Sequence, residues 1–282
     1  MNDMQTTLCY IEKDGRTLML HRVKKKNDMN RDKWLGVGGK FEPGESPEEC
    51  MLREAKEETG LTLTRWAYRG IVTFVSGDYC EYMHLFTADA FEGALRECDD
   101  TVLSGCAIES TEFGWFCRGL KIRDCTLKSE YPFMQTRDME IENLQMQGKY
   151  SFQYVENVTI RNSVLDTKDA FWHGKNITVE DSVVKGEYLA WYSENLRLVR
   201  CKIIGTQPFC YAKNLVLEDC EMVDCDLAFE NTTVEADVRG AILSVKNPAG
   251  GHITADSIGE VILDEHIWPG ADCVITARAE SA

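Results

Sequence analysis

No stretch of this chain approaches the roughly 18 to 20 consecutive apolar residues that a membrane-spanning helix needs, so no association with a membrane is expected. The opening residues, Met1-Asn2-Asp3-Met4-Gln5-Thr6-Thr7, lack the basic and apolar regions of a secretory signal, which points to a cytoplasmic protein. The twelve cysteines include no CxxC pair. They therefore read as cytosolic thiols rather than as a zinc site or a disulfide framework. Positive charge is in deficit, with a net charge of −16. That excludes broad binding to polymeric nucleic acid, which needs a basic face. It does not exclude a nucleotide, which a metal ion and a few basic residues can hold locally. What remains is a soluble globular composition, 44% hydrophobic and 28% charged over 282 residues. This is enough chain for one large domain or two ordinary ones.

One stretch, 39–61, specifies a chemistry by residue type and spacing together. It begins with a glycine turn after Trp34-Leu35-Gly36-Val37-Gly38-Gly39-Lys40, read as a short strand. Ser46 with Glu49 forms a capping box, Pro47 falls at the first helical position and Gly60 lies past the last turn. These signals predict a helix over about 47–59, with Met51, Leu52 and Ala55 as its buried stripe. Glu54, Glu57 and Glu58 then lie at i, i+3 and i+4, side by side on one helical face. Like charges there repel, and a divalent cation removes the repulsion. An all-oxygen ligand set favours Mg²⁺ or Mn²⁺. Glu45 can reach the same region, Arg53 is placed to hold the carboxylates, and the carbonyls of Gly38 and Gly39 lie close by. Such a site can bridge phosphate oxygens and activate water.

Around this stretch, residues 5–12 and 17–23 read as strands joined by a hairpin at Asp14-Gly15. A basic loop, 24–33, leads into the glycine turn. Residues 62–75 and 80–91 read as two more strands about a turn at Ser76-Gly77-Asp78. Near residue 100 the pattern changes to a repeat with a fixed period of 19 residues, as in Gly119-Leu-Lys-Ile-Arg-Asp-Cys125 and Asn157-Val-Thr-Ile-Arg-Asn-Ser163. Seven units align, and a degraded eighth starts at Thr233. Alternation within so short a period means strands, one coil of a parallel β-solenoid per repeat. Small residues at 106, 125, 163, 182, 201 and 220 predict an inward Cys/Ser ladder. Phe133, Phe152, Phe171, Ala190, Phe209 and Ala228 predict an aromatic-rich column. The less regular segment 241–282 is expected to cap the open end.

The 39–61 stretch matches, at every defined position, the pattern G-x5-E-x7-R-E-U-x-E-E-x-G-U of the Nudix hydrolases: Gly39, Glu45, Arg53-Glu54-Ala55, Glu57-Glu58 and Gly60-Leu61. Residues 34–40 with the basic loop before them resemble the MutT-type, 8-oxo-dGTP diphosphatase branch. The resemblance covers 3–99 and implies an α/β Nudix fold in a domain of residues 1–99. It implies Mg²⁺-dependent cleavage of a nucleoside triphosphate, with 8-oxo-dGTP or a related purine nucleotide as candidate, to monophosphate and pyrophosphate. Carried over, Glu54, Glu57 and Glu58 are metal ligands, with a carbonyl of Gly38 or Gly39 and with Glu45 nearby. Glu54 or Glu57 is the general base, Arg53 the residue that holds them, and Lys40 a phosphate contact. The family also has a further strand and a C-terminal helix that this chain leaves no room for before residue 100. The Nudix part therefore reads as truncated, and its incomplete sheet is compatible with a homo-oligomer.

Residues 100–282, including Asp169-Ala-Phe-Trp-His-Gly-Lys-Asn176, resemble an uncharacterised bacterial family of right-handed parallel β-helix proteins. No activity comes with that resemblance. Trp172, His173, Glu187, Trp191, Tyr192 and Glu230 are candidates for a groove. The alternative function is a β-solenoid scaffold or binding protein, carbohydrate-related in one version, with a vestigial Nudix segment.

Overall fold

A computed structural model describes residues 2–13, 15–21, 33–77, 79–92, 95–264 and 272–278. The basic loop at 24–32, Asp14 of the first hairpin and Asp78 of the second turn lie outside the described residues. Two compact units divide at Val102 and Leu103.

The first unit contains strands β1 (Asn2–Lys13), β2 (Arg16–Leu18), β3 (Leu20–His21), β4 (Trp34–Leu35), β5 (Thr62–Ser76) and β6 (Tyr79–Glu92). Four of them form a sheet in the order β2-β1-β6-β5. The central pair β1 and β6 runs parallel, while β2 and β5 pair antiparallel at the edges. The second predicted strand is broken in two, since β3 leaves the sheet and pairs with β4 instead. Beyond β4 the chain keeps contact with β1 through single bridges, Val37 with Cys9 and Lys40 with Thr6. Helix α1 (Pro47–Thr59) has the predicted capping box, and Gly60 closes it at φ 73. Its buried residues are Cys50, Met51, Ala55 and Thr59. Leu52 is only partly buried, so the stripe is rotated by one position from the expected one. Thr59 can turn inward because its hydroxyl donates to the Ala55 carbonyl at 2.5 Å. Met51 and Ala55 pack with Cys9, Ile11, Val37, Leu63, Phe86 and Ala88 in the core between helix and sheet.

The second unit is a parallel β-solenoid of about nine turns. Register partners lie 19 residues apart through its middle: Ile122 faces Ile141, Val158 faces Ile177 and Val184 faces Ile203. The inward ladder forms as expected at Cys125, Ser163, Ser182, Cys201 and Cys220, with Leu144 filling the gap. Its serines do more than fill space. The Leu144 amide donates to Ser163 Oγ and the Ser163 amide to Ser182 Oγ, each at 3.0 Å, which satisfies corner amides that no strand reaches. Phe133, Phe152 and Phe171 stack at 4.8 and 5.0 Å and are fully buried. At the end of the column Phe229, not Ala228, stacks on Phe209. The last coil of that stretch is one residue longer, and the larger side chain keeps the core filled. Outside, opposite charges meet across neighbouring coils, as in Lys121–Glu140 and Arg161–Glu180. Such exposed pairs set register more than they stabilise.

The segment expected as a cap is instead sheet. Strand Gly250–Ile262 pairs in parallel with Thr233–Lys246, at a spacing shortened to 17 and then 16 residues. Val274–Ala277 adds to it in turn. The sequence period fails there because the coil shortens, although the ladder continues.

Candidate active site

The glycine turn is fixed by β1. The Thr7 amide donates to the Gly39 carbonyl at 2.8 Å. Gly38 has φ +155, and a Cβ there would collide with the Thr7 carbonyl. At Gly39 a Cβ would fall within the Glu54 carboxylate. The two glycines are therefore required so that helix α1 can bring its carboxylates against the turn. Thr7 and Cys50 buttress the turn from below, with Thr7 Oγ1 and Cys50 Sγ 3.5 Å apart. Neither is legible in the sequence, because their proximity depends on the pairing of β1 with a turn some thirty residues later.

The carboxylates are gathered by Arg53. Its Nε and Nη2 bind the two oxygens of Glu45 at 2.6 and 3.0 Å. Its Nη1 reaches Glu54 Oε1 at 2.9 Å and Glu57 Oε2 at 3.1 Å. Nη2 also donates to the Lys40 carbonyl at 3.1 Å, which ties the guanidinium to the turn. Arg53 thus takes up the negative charge that three neighbouring carboxylates would otherwise leave unbalanced. The hydrogen bonds from Arg53 and from the Glu42 amide pull the Glu45 carboxyl down to about 2. The same contacts hold the Arg53 guanidinium firmly protonated. Glu58 points elsewhere on the helix face, accepting from the Gly38 amide at 3.1 Å. Lys40 is exposed at the lip of the turn.

The structure therefore brings Glu45, Arg53, Glu54 and Glu57 into one network, with Glu58 and Gly38 as a second contact beside it. Among the described residues no three acidic, histidine or cysteine side chains converge on a single point as metal ligands do. The donor set nevertheless suits a hard divalent cation. It consists of carboxylate and carbonyl oxygens around a turn where a Cβ would obstruct Glu54. Glu54 is 15% exposed and Glu57 is 59% exposed, so one carboxylate is packed and the other faces water.

The fold and this site define a Nudix domain joined to a parallel β-solenoid. The chain belongs to the family described as Protein of unknown function (DUF3737), which matches residues 83–276. The NUDIX domain matches residues 3–117. Among curated proteins, the uncharacterized Nudix hydrolase YvcI of Bacillus subtilis (strain 168) is 32% identical over 94 residues, 32% of this chain and 56% of that one. The oxidized purine nucleoside triphosphate hydrolase of Danio rerio is 36% identical over 96 residues, 33% of this chain and 60% of that one. The chain thus spans little more than half the length of either relative. Among solved structures, a MutT protein from Bacillus halodurans is 32% identical, with a TM-score of 0.27, over 32% of this chain and 58% of that one.

Proposed function

We propose that residues 1–99 act as a Nudix pyrophosphohydrolase, followed by a β-helix domain of residues 100–282. The substrate is a nucleoside triphosphate, 8-oxo-dGTP or a related purine nucleotide, cleaved to monophosphate and pyrophosphate with Mg²⁺ or Mn²⁺. The observation that carries this reading is the Arg53 clasp, which gathers Glu45, Glu54 and Glu57 beside the glycine turn. The kinship with an oxidized purine nucleoside triphosphate hydrolase supports the substrate class.

In this reading Glu54, Glu57 and Glu58 hold the cation with Glu45 and the Gly38 carbonyl, since the Gly39 carbonyl already accepts from Thr7. When bound, the cation neutralises charge on the phosphate oxygens and acidifies water. The water-facing Glu57 is the better placed of the two candidate bases to accept a proton from the attacking water, and the packed Glu54 to hold its position. Arg53 keeps the carboxylates in register with the turn. The Lys40 ammonium, exposed at the lip, pairs with a phosphate oxygen of the substrate.

A cytoplasmic location and a homo-oligomeric state belong to the same proposal. The second is supported by β5, an edge strand whose Ile71, Val72, Phe74 and Val75 are at least half exposed. Light scattering on the purified chain tests it.

The reaction is tested by incubating the protein with Mg²⁺ and a panel of nucleoside triphosphates, including 8-oxo-dGTP, beside a Glu57→Gln variant. Pyrophosphate release by the parent alone is expected. No release, or equal release from both, rejects the reading and leaves the solenoid as the working part.

A further inference from the structure

The solenoid turns two of its corners through left-handed backbone, and fills them very differently. One corner column is Asn157, Asn176, Asn195 and Asn214, with φ between 53 and 58°. Asparagine tolerates this conformation, and here its amides hydrogen-bond from coil to coil at 2.9 to 3.1 Å. The other column is Tyr154, His173, Tyr192 and Tyr211, with φ between 52 and 60°. Large aromatic side chains are the residues that this backbone disfavours. They are not hidden either: Tyr154 is 50% exposed and Tyr192 46%. The same molecule thus shows what the corner takes when only folding matters, and departs from it over four successive coils. Gln135 and Asn231 restore amides at the two ends of the aromatic run, at φ 51 and 53°.

The four rings are stacked, with centroids 4.9, 5.0 and 4.9 Å apart and planes within 10° of parallel. Their faces are therefore turned to one another and their rims to solvent. Among the described residues the three phenol oxygens have no hydrogen-bond partner in the protein. Beside the column, Trp172 and Trp191 form a second stacked pair at 5.5 Å and 1°. Their indole nitrogens are already committed to the carbonyls of Tyr188 and Gln207. They add half-buried apolar surface with no free donor.

What this strip offers decides what it fits. Ligands that need open ring faces, such as bases, quaternary ammonium groups or a proline-rich peptide, find those faces closed along the run. A charged polymer finds no charge in the strip. The strip presents hydrogen-bonding rims repeated once per coil, next to apolar indole surface. A chain of hydroxyl-bearing six-membered rings advances by about one coil step per ring, with hydroxyls on its edges and C–H groups on its faces. We propose that the Tyr154–His173–Tyr192–Tyr211 ladder, with Trp172 and Trp191, is a binding surface for a neutral oligosaccharide lying along the solenoid. The phenol and imidazole rims bind its hydroxyls, and the indoles pack against its C–H groups. This surface stands independently of the hydrolase reading.

Calorimetric titration of the full chain with neutral hexasaccharides tests it: β-1,4-linked glucose, β-1,4-linked N-acetylglucosamine, α-1,4-linked glucose and β-1,3-linked glucose. Saturable binding of at least one is expected. A Tyr154→Ala, Tyr192→Ala double variant should bind it at least tenfold more weakly. A Tyr154→Phe, Tyr192→Phe double variant, which keeps the stack and removes two hydroxyls, should bind severalfold more weakly with unchanged melting. Glu57→Gln should bind as the parent does. The proposal is overturned if none of the four sugars binds at millimolar concentration, or if both tyrosine variants bind undiminished. It is also overturned if a proline-rich peptide binds the ladder in place of the sugars.

Discussion

Arg53 is the residue on which the candidate active site turns, because its hydrogen bonds converge on the carboxylates and the turn. Arg53→Ala should lower nucleotide hydrolysis about 100-fold, the scale of a misplaced catalytic group, as measured by pyrophosphate release. Arg53→Lys should rescue little, since an ammonium lacks the planar fork that spans both Glu45 oxygens. The clasp also makes stability depend on pH. The Glu45 carboxyl is held at about 2 in the folded protein against an ordinary 4.5. The folded state therefore gains stability that is complete above about 4.5 and lost as pH falls toward 2. Denaturant titrations of parent and Arg53→Ala should differ at pH 7 and converge near pH 2. Asp169 has the opposite sign. It is buried, 5% exposed, and burial pushes its carboxyl up. A raised carboxyl contributes stability at low pH that is lost as pH rises through its folded value. Asp169→Asn, which keeps a residue suited to its φ of 54°, should therefore melt higher than the parent at pH 7 and not at pH 3.

At the scale of the element, the solenoid is held by columns rather than by single strands. Phe152 is fully buried between two stacked phenylalanines. Phe152→Ala opens a cavity that the flanking coils are too regular to close, at a cost of about 3 to 5 kcal/mol by chemical denaturation. The Cys/Ser ladder works through hydrogen bonds instead. Ser163→Ala removes the acceptor for the Leu144 amide, which is buried and has lost water as an alternative. About 1 to 3 kcal/mol should be lost, and Ser163→Thr, which keeps the hydroxyl, should recover part of it. Helix α1 depends on a local device, its capping box, where the Glu49 amide donates to Ser46 Oγ and the Ser46 amide to Glu49.

For the whole molecule, the two compact units have separate cores built on different physics. The first buries a single helix against a four-stranded sheet, and the second stacks repeats whose neighbours alone stabilise one another. Scanning calorimetry should resolve two transitions, and Phe152→Ala should shift only one of them. A single transition displaced as a whole would show that the units fold as one. The overlap of the NUDIX match with the DUF3737 match, over 83–117, means that the chain passes from one pattern to the other without a spacer sequence.

Local chemistry makes α1 legible in the sequence: Ser46, Pro47, Glu49 and Gly60 are start and stop signals that act within a few residues. Its rotation is not legible there, because whether Leu52 or Cys50 faces inward depends on where the sheet lies. Likewise the repeat is visible from 119 to 222, since identical positions meet identical positions at a constant step. It fades after Thr233, where the coil shortens and only pairing reveals that the ladder continues. Residue types alone determined that three glutamates share one helical face behind a glycine turn. Only the tertiary fold decided that Arg53 ties two of them to Glu45, and that Thr7 fixes the turn they meet. A helix sets its own geometry through contacts four residues apart, whereas β1 and the glycine turn meet only when the sheet has formed.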